Sequence, residues 1–416
     1  MTATGRALEP DEDGPLLRAV AEALDQFTGP VGVAVSGGGD SVALLHLIWR
    51  VCGHRGVAVS VVTVDHGLRP EAAAEAAEVA ALCTGLSVPH RTVVWKHGPV
   101  AGNLMDAARR ARMALIAGWA RERGIGHVAL GHTADDQAET FLMALSRASG
   151  LDGLVGMPAQ WQAEGVGWTR PLLRATREDL RAYLRRHGIG WAEDPTNDDL
   201  RYERVRARAA MAALAPLGID AGRIGISIDN LRMAQEVVAE ALRAEGAHVS
   251  EMAGALRIDR AGFGQMPREM RRRVLVSGIG WLSGETAPPR GEAQVMLLDA
   301  AEAGLDRTLG GCRMIARGNH LWLLREARAV SGIEAVPGSV WDGRWLVTGP
   351  GAEPGVTLAA LGPAGLRQCP DWRATKLPRE VLAVTPGVWR GDVLVAAPLA
   401  GMANGWVARV RPAFGV

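Results

Sequence analysis

The sequence predicts an α/β fold whose first part is a doubly wound parallel sheet, and two observations carry this prediction. Short apolar or β-branched runs at 31–35, 57–64, 88–95 and 125–130 alternate with helix-like segments. Polar clusters follow the ends of three of these runs. Ligands bind beyond the carboxyl ends of parallel strands, so we expect the clusters to converge on one site.

The chain is also long enough for more than one domain. Its 416 residues exceed what one hydrophobic core usually serves. A boundary is predicted at 215–218, and the sequence becomes rich in Gly, Pro and Trp from about residue 331. The prediction is a catalytic domain over 1–217, a helical middle domain over 218–330 and a small C-terminal α+β domain over 331–416.

Composition narrows the class of protein. The net charge of +1 does not indicate a nucleic-acid partner, so any such contact must come from local basic patches. The N-terminus is acidic rather than a signal peptide, and no apolar run is long enough to span a membrane. Scattered cysteines predict a reduced cytoplasmic protein without a Cys-x-x-Cys pair: Cys52, Cys83, Cys312 and Cys369.

A glycine-rich loop follows the first predicted strand. Glycines let backbone amides approach an anion, and the following helix N-terminus adds partial positive charge. The loop lacks the lysine of a Walker loop, and Val42 replaces the third glycine of a dinucleotide fingerprint. Asp40 adds a carboxylate that suits Mg²⁺. The predicted ATP-binding residues are Ser36, Gly37, Gly38, Gly39, Asp40 and Ser41.

A second cluster opens the helix after the fourth strand. Asp135, Asp136 and Glu139 are three or four residues apart, so they are neighbours on the helix surface. Such acids repel one another unless a cation compensates, which favours a Mg²⁺-nucleotide site. However, Thr133 and Asp136 also spell a capping box, and acids suit a helix N-terminus. At this point both interpretations stand.

A basic run follows the turn-rich segment 191–199. It contains Arg201, Arg204, Arg206 and Arg208. Such a run is typical of a solvated helix face, but its position next to the predicted site equally favours a phosphate or RNA contact.

Taken together, these motifs resemble bacterial tRNA(Ile)-lysidine synthetases of the PP-loop ATP-pyrophosphatase superfamily. The resemblance is strong to about residue 215 and rests on the segments 36–41, 64–69, 130–140, 170–173 and 194–197. Two departures stand out. Met113 replaces a tyrosine of the family, and Val205 replaces an asparagine.

The resemblance implies a reaction, its cofactors and its partners. ATP, with Mg²⁺ held at Asp40, adenylates the C2 oxygen of the wobble cytidine in a tRNA(Ile) with a CAU anticodon. The amine of L-lysine then displaces AMP. The middle domain is expected to contact the tRNA. Implied catalytic residues are Asp40, Arg109, Arg112, His132 and Asp136. Implied contacts to lysine or tRNA are Asp135, Asp136, Glu139, Arg204, Arg206 and Arg208.

Other interpretations stay open from the sequence. A 2-thiolating PP-loop enzyme would need paired cysteines, and an amide-forming relative would need its own substrate motifs. A non-catalytic tRNA-binding module would leave the acidic cluster without a purpose. Protein partners are unknown, with a homodimer among the options.

Overall fold

The computed structural model describes residues 12–67, 72–96, 104–193, 201, 203–285, 288–350, 355–411 and 414. Arg69 and the loop 194–197, which belong to the motifs above, lie outside these residues. The chain separates into two compact units that meet in sequence between Gln235 and Glu236. The predicted division into three domains stays a prediction.

Within the described part of the first unit, six strands form one sheet with the order β3-β2-β1-β4-β6-β5. All neighbours are parallel except the edge strand β5. The elements are α1 (Gly14–Leu24), β1 (Val31–Ala34), α2 (Gly39–Arg55), β2 (Val59–Asp65), α3 (Ala72–Gly85), β3 (His90–Val94), α4 (Leu104–Glu122), β4 (His127–Leu130), α5 (Ala134–Ser146), α6 (Leu151–Leu154), β5 (Gln160–Ala163), β6 (Val166–Thr169), α7 (Arg177–Arg186), α8 (Glu203–Leu214) and α9 (Ala221–Ala244).

Helices cover both faces of this sheet, because successive strand residues point to opposite sides. Val33 and Val61 pack with α1, α2 and α7, whereas Val62 and Val128 pack with α4. Both faces are therefore apolar, as a doubly wound parallel sheet requires. This part of the predicted fold class is confirmed.

The strand order reverses at β1. The chain proceeds from β1 to β2 and β3 on one side and then crosses to β4 on the other. Val33 pairs with Val61 of β2 and with Ala129 of β4. A crevice opens where two neighbouring strands lead to connections in opposite directions. The segments 36–41 and 131–136 both leave the sheet at this crevice.

The second unit is rich in short strands. In its described residues, five strands form a sheet of order β7-β8-β11-β10-β9, and two sheets of three strands follow. Its elements are β7 (Val249–Met252), β8 (Ala255–Asp259), α10 (Arg260–Gln265), α11 (Arg268–Ser283), α12 (Gly291–Ala303), β9 (Arg307–Leu309), β10 (Cys312–Arg317), β11 (His320–Arg325), α13 (Ala327–Val330), β12 (Val340–Trp341), β13 (Trp345–Thr348), β14 (Thr357–Ala360), α14 (Gly362–Gln368), α15 (Arg379–Ala383), β15 (Pro386–Arg390), β16 (Val393–Ala396) and β17 (Val407–Val410).

The two faces of the five-stranded sheet enter different cores. Met314 and Leu323 pack with α11 and α12, whereas their neighbours Ile315 and Trp322 pack with the strands beyond residue 340. Across the described residues, no single helix is long and apolar enough to cross a membrane. The helical segments 203–217 and 221–244 pass that test only as a pair bent by 97°.

Candidate active site

The glycine-rich loop turns sharply between β1 and α2. Gly37 has φ +95°, a left-handed conformation that L side chains rarely adopt. The Ser41 hydroxyl accepts from the Ser36 amide at 3.1 Å and donates to the Gly38 carbonyl at 2.9 Å. Gly38 is the N-cap of α2 and has no side chain to cover the first amides of the helix. The loop therefore presents a helix N-terminus suited to binding an anion.

Gly131, which follows β4, packs closely against the backbone at the start of α2. A Cβ atom on Gly131 would lie 3.0 Å from the Ser41 Cα and 3.1 Å from the Asp40 carbonyl oxygen. Both neighbours are backbone atoms, so they cannot yield without moving the loop. Gly131 thereby lets the second polar cluster approach the first.

Asp40 lies in the first turn of α2, partly buried. Its Oδ2 atom is 3.4 Å from the Nε of Arg177. Burial raises the pKa of this carboxyl to about 6, Arg177 counters the rise, and nearby Asp136 adds to it. Asp40 is therefore an acid whose negative charge the protein compensates incompletely.

Arg177, the first residue of α7, joins the acids of the cluster. Its Nη2 donates to Asp136 Oδ1 and its Nη1 to Glu139 Oε1, both at 2.7 Å. Its backbone amide donates to Asp135 Oδ2, also at 2.7 Å. Burial disfavours the charged guanidinium, but Glu139 and Asp136 outweigh it and raise the pKa of Arg177. The sequence predicted that a cation must compensate these neighbouring acids. Arg177 provides such a positive charge within the protein.

Asp136 uses its two oxygens for different purposes. Oδ2 accepts from the Thr133 amide at 2.9 Å and from the Thr133 hydroxyl at 3.1 Å, which completes the capping box. Oδ1 accepts from Arg177. Burial opposes ionisation here, but Arg177 and Arg204 outweigh it and lower the pKa of Asp136. The sequence left open whether Asp136 caps α5 or belongs to a charge-compensated site. Its Oδ2 atom caps the helix, and its Oδ1 atom belongs to the charged site.

Glu139 is the most enclosed acid of the cluster, with 2% of its side chain exposed. Besides Arg177, the Nε of Arg208 lies 3.1 Å from Oε1, and the Nε of Arg204 lies 3.8 Å from Oε2. A cavity of about 180 Å³ adjoins this acid. It is lined by Asp135, Ala138, Glu139, Arg177, Arg208, Met211, Ala215, Ile219, Asp220 and Ala221.

His132 lies between the acids and a group of arginines. Its Nδ1 accepts from the Nε of Arg170 at 3.1 Å, so the ring proton is on Nε2. Burial and then Arg170 lower the pKa of His132 to about 3. Arg170 itself is held by the Pro158 carbonyl at 2.7 Å and stacks 3.9 Å above the Trp161 ring centre. His132 is therefore a neutral hydrogen-bond donor at physiological pH.

Arg112 adds a buried donor. Its Nε is enclosed and finds no hydrogen-bond acceptor among the described residues. Burial, together with Arg109 and Arg204, lowers the pKa of Arg112 to about 10. Arg109 is exposed one helical turn away. A guanidinium with a buried, unsatisfied Nε and like charge around it is costly without an anion, so this group is suited to a phosphate or a developing negative charge.

The remaining predicted residues lie nearby or apart. The third polar cluster, Asp65 and His66, follows β2. Burial and nearby Arg112 lower the pKa of His66. Arg206 is exposed, and its Nη1 donates to the Arg201 carbonyl at 3.0 Å. Three arginines were predicted to touch substrate. Arg204 and Arg208 contact Glu139 of the acidic cluster. Arg206 instead bonds to the backbone just before α8.

Sequence reasoning missed Arg177 as a site residue. A signal was present, because an arginine in the first turn of a helix opposes the helix dipole. At that position a cation needs other partners, and the acids of α5 supply them.

Mg²⁺ commonly takes one or two protein carboxylates and completes its shell with phosphates and water. No cluster of three or more metal-ligating side chains occurs where the structure describes the chain. Asp40 nevertheless fits as a single protein ligand, because its ion pair with Arg177 is long, at 3.4 Å, and 27% of its side chain is exposed.

Comparison with known families agrees with this geometry. A model of the PP-loop domain matches residues 16–214. The sheet, the glycine-rich loop and this match define the first unit as a PP-loop domain.

Curated relatives extend over most of the chain. A tRNA(Ile)-lysidine synthase of Ruegeria pomeroyi is 47% identical over 92% of this chain and 91% of its own length. Those of Hyphomonas neptunium and Bradyrhizobium diazoefficiens are 41% and 39% identical over 71% and 72% of this chain, and 82% and 85% of their own lengths. The chain belongs to the tRNA(Ile)-lysidine synthase family.

Proposed function

We propose that this chain joins L-lysine to C2 of the wobble cytidine in a tRNA(Ile) with a CAU anticodon. ATP first transfers AMP to the C2 oxygen and releases pyrophosphate. The lysine ε-amine then forms a C–N bond to C2, the C2–O bond to AMP breaks, and the amine loses its proton. The product, lysidine, decodes AUA as isoleucine. The observation that carries the proposal is family membership over 92% of this chain combined with a complete phosphate loop beside paired acids.

We assign the ATP half of the reaction to the loop 36–41. Its amides and the N-terminus of α2 are suited to the β- and γ-phosphates, which leave as pyrophosphate. Asp40 would hold Mg²⁺, which neutralises phosphate charge when bound. The raised pKa of Asp40 supports this role, because its carboxylate gains from an added cation.

We assign stabilisation of the α-phosphate and the developing charge on the cytosine to Arg109, Arg112 and His132. The enclosed Nε of Arg112 supports an anionic ligand. Neutral His132 offers Nε2–H as a donor and, with its pKa near 3, does not act as a proton source. The cytosine must leave its stack to reach these groups.

We assign recognition of the lysine ammonium to the acids around Arg177. Asp135 and Glu139 line the 180 Å³ cavity, Asp136 is joined to Glu139 through Arg177, and Arg204 and Arg208 keep Glu139 in place. The lowered pKa of Asp136 makes it a weak base, so its proposed role is to hold the amine by charge.

Three wider assignments complete the proposal. Residues 218–330 contact tRNA, Arg206 binds an RNA phosphate, and the protein works in the cytoplasm. The oligomeric state, with a homodimer among the options, is measured by light scattering. A salt titration of tRNA binding tests Arg206, whose replacement should lower the slope by about one unit.

A 2-thiolase is disfavoured by the cysteines. All four are buried and unpaired, and burial raises the pKa of Cys83 and of Cys312 to about 11. They are poorly placed to carry sulfur as thiolates.

The deciding experiment measures pyrophosphate release and the modified nucleoside from ATP, L-lysine and a tRNA(Ile) transcript. Both products should appear in equal amounts and should require lysine and tRNA together. Asp40→Ala should abolish both, whereas the control Asp25→Ala, at an exposed ion pair with Arg55, should not. Lysine-independent formation of a thiolated base, or full pyrophosphate exchange by Asp40→Ala, would refute the assignment.

A further inference from the structure

A second cavity lies wholly within the second unit, between the β10–β11 hairpin and the segment 372–380. Its volume is about 480 Å³, within the range of small-molecule pockets. The motifs of the PP-loop site contribute nothing to it. Its lining combines cationic and aromatic side chains: Arg317, His320, Trp322, Trp372, Arg373, Lys376, Leu377, Pro378 and Glu380.

The cavity carries an excess of positive charge. Arg317 pairs with Glu380 across the cavity, with Nε 3.2 Å from Oε1, so these two charges offset each other. Arg373 and Lys376 are both exposed and lie three residues apart. A pair of exposed cations at the rim of a pocket favours an anionic ligand such as a phosphate.

The same cavity offers flat apolar surface. The guanidinium of Arg373 lies 4.7 Å from the Trp372 ring centre. Half-buried Trp372, buried Trp322 and half-buried His320 all line the cavity. Aromatic rings paired with arginine form stacking platforms for nucleic-acid bases.

The segment that carries these groups is held in one unusual conformation. Lys376 has φ +58°, in the left-handed region that non-glycine residues seldom occupy. The turn is closed by the Lys376 amide, which donates to the Arg373 carbonyl at 3.2 Å, and by the Thr375 hydroxyl, which donates to the Trp372 carbonyl at 2.7 Å. Lys376 is the left-handed residue that ends the short helix 372–375, so the turn holds Arg373 and Lys376 on one compact segment.

We propose that this cavity binds an unpaired nucleotide of the tRNA, with the base against Trp372 and the adjoining phosphates at Arg373 and Lys376. The identity of the RNA rests on the proposed function, whereas the chemistry of the ligand rests on the cavity. A paired base presents no free face for stacking, so duplex RNA does not fit the same groups.

The first test measures tRNA affinity against salt for the full chain without ATP or lysine. The double variant Arg373→Gln/Lys376→Gln removes two phosphate contacts of a single strand, so the slope of log K against log salt should fall by about 1.4 units. Both side chains are exposed, which keeps the fold. Arg379→Gln, an exposed arginine outside the lining, is the matched control and should leave the slope unchanged. An unchanged slope in the double variant overturns the proposal.

The second test separates stacking from charge. Trp372→Leu should weaken tRNA binding about tenfold, and Trp372→Phe, which keeps a ring, should retain most of the affinity. A single-stranded oligonucleotide should compete with tRNA, a duplex of equal charge should not, and Trp372→Leu should abolish the difference. Equal competition by the duplex would overturn the proposal in favour of a general phosphate surface. Displacement by an acidic peptide instead of the oligonucleotide would overturn it as well.

Turnover distinguishes this proposal from the proposed function. The double variant should raise the KM for tRNA and keep kcat, because the cavity binds rather than reacts. Should the wild type make no lysidine, the binding measurements still decide whether the cavity takes RNA.

Discussion

The helices α5 and α7 begin with the same capping device in different surroundings. In each, a threonine and an aspartate three residues later bond reciprocally: Thr133 with Asp136 and Thr176 with Asp179. Asp179 is exposed and serves its cap, whereas Asp136 is buried and also receives Arg177 on its second oxygen. A capping box therefore fixes the position of an aspartate through one of its oxygens. The partner of the second oxygen decides whether the carboxylate also has a role beyond capping.

Arg177 bonds to the capping aspartate of α5, and this contact distinguishes the start of α5 from the start of α7. Replacing Arg177 is therefore expected to change stability strongly. Arg177→Gln leaves buried Asp136 and Glu139 without their shared cation and should lower the free energy of unfolding by about 3 kcal/mol or more. Urea denaturation measures this. Arg185→Gln, which breaks an exposed pair with Glu178, should cost less than about 1 kcal/mol. Equal losses would show that the cluster around Arg177 is not special.

The next largest effect compares the two aspartates in catalysis. Asp136→Asn keeps an oxygen for the cap but loses the charge, so lysidine formation should fall about a hundredfold. Asp179→Asn should retain nearly full activity. The kcat/KM for lysine at saturating tRNA provides the comparison, with thermal melts to show that both variants are folded. Comparable rates in the two variants would reduce Asp136 to a capping residue.

The threonines should behave alike, because each only completes its cap. Thr133→Ala and Thr176→Ala should each lower the free energy of unfolding by about 1 kcal/mol. Thermal or urea denaturation of the two variants in parallel tests this equality. A much greater loss for Thr133→Ala would mean that the cap at α5 also supports Arg177.

A further comparison concerns the residue before each cap, His132 at α5 and Ala175 at α7. The folded pKa of His132 is about 3, below its ordinary 6.5, so protonation below pH 6.5 favours the unfolded chain. The stability advantage of the wild type over His132→Gln should therefore be greatest above pH 6.5 and decline as the pH falls toward 3. Denaturation at several pH values measures this difference, and an advantage that grows on acidification would contradict it.

Much of the first unit could be predicted, because its signals are local. The strand 31–35 and the loop 36–41 are contiguous in sequence, and β1 and α2 form where the pattern indicates. The capping box of Thr133 and Asp136 was likewise visible as a spacing of three residues. The convergence of the polar clusters followed from the rule that ligands bind at the carboxyl edge of parallel strands.

The partner of Asp136 could not be predicted in the same way. Arg177 lies 41 residues away along the chain, so only the tertiary packing of α7 against α5 reveals the pair. In the second unit, the five-stranded sheet escaped prediction because its two faces are both buried. Met314 and Ile315 enter opposite cores, which removes the polar alternation that marks a strand.

The cations described around the PP-loop site are arginines, and this has a consequence for self-modification. An activated cytidine reacts with any nearby free amine, yet a guanidinium stays protonated and is not nucleophilic at neutral pH. Even Arg112 and Arg170, with pKa values lowered to about 10, keep their protons. The whole chain contains only two lysines, Lys96 and Lys376. Arginine side chains can therefore bind phosphate and RNA without competing with the free lysine for C2 of the activated cytidine.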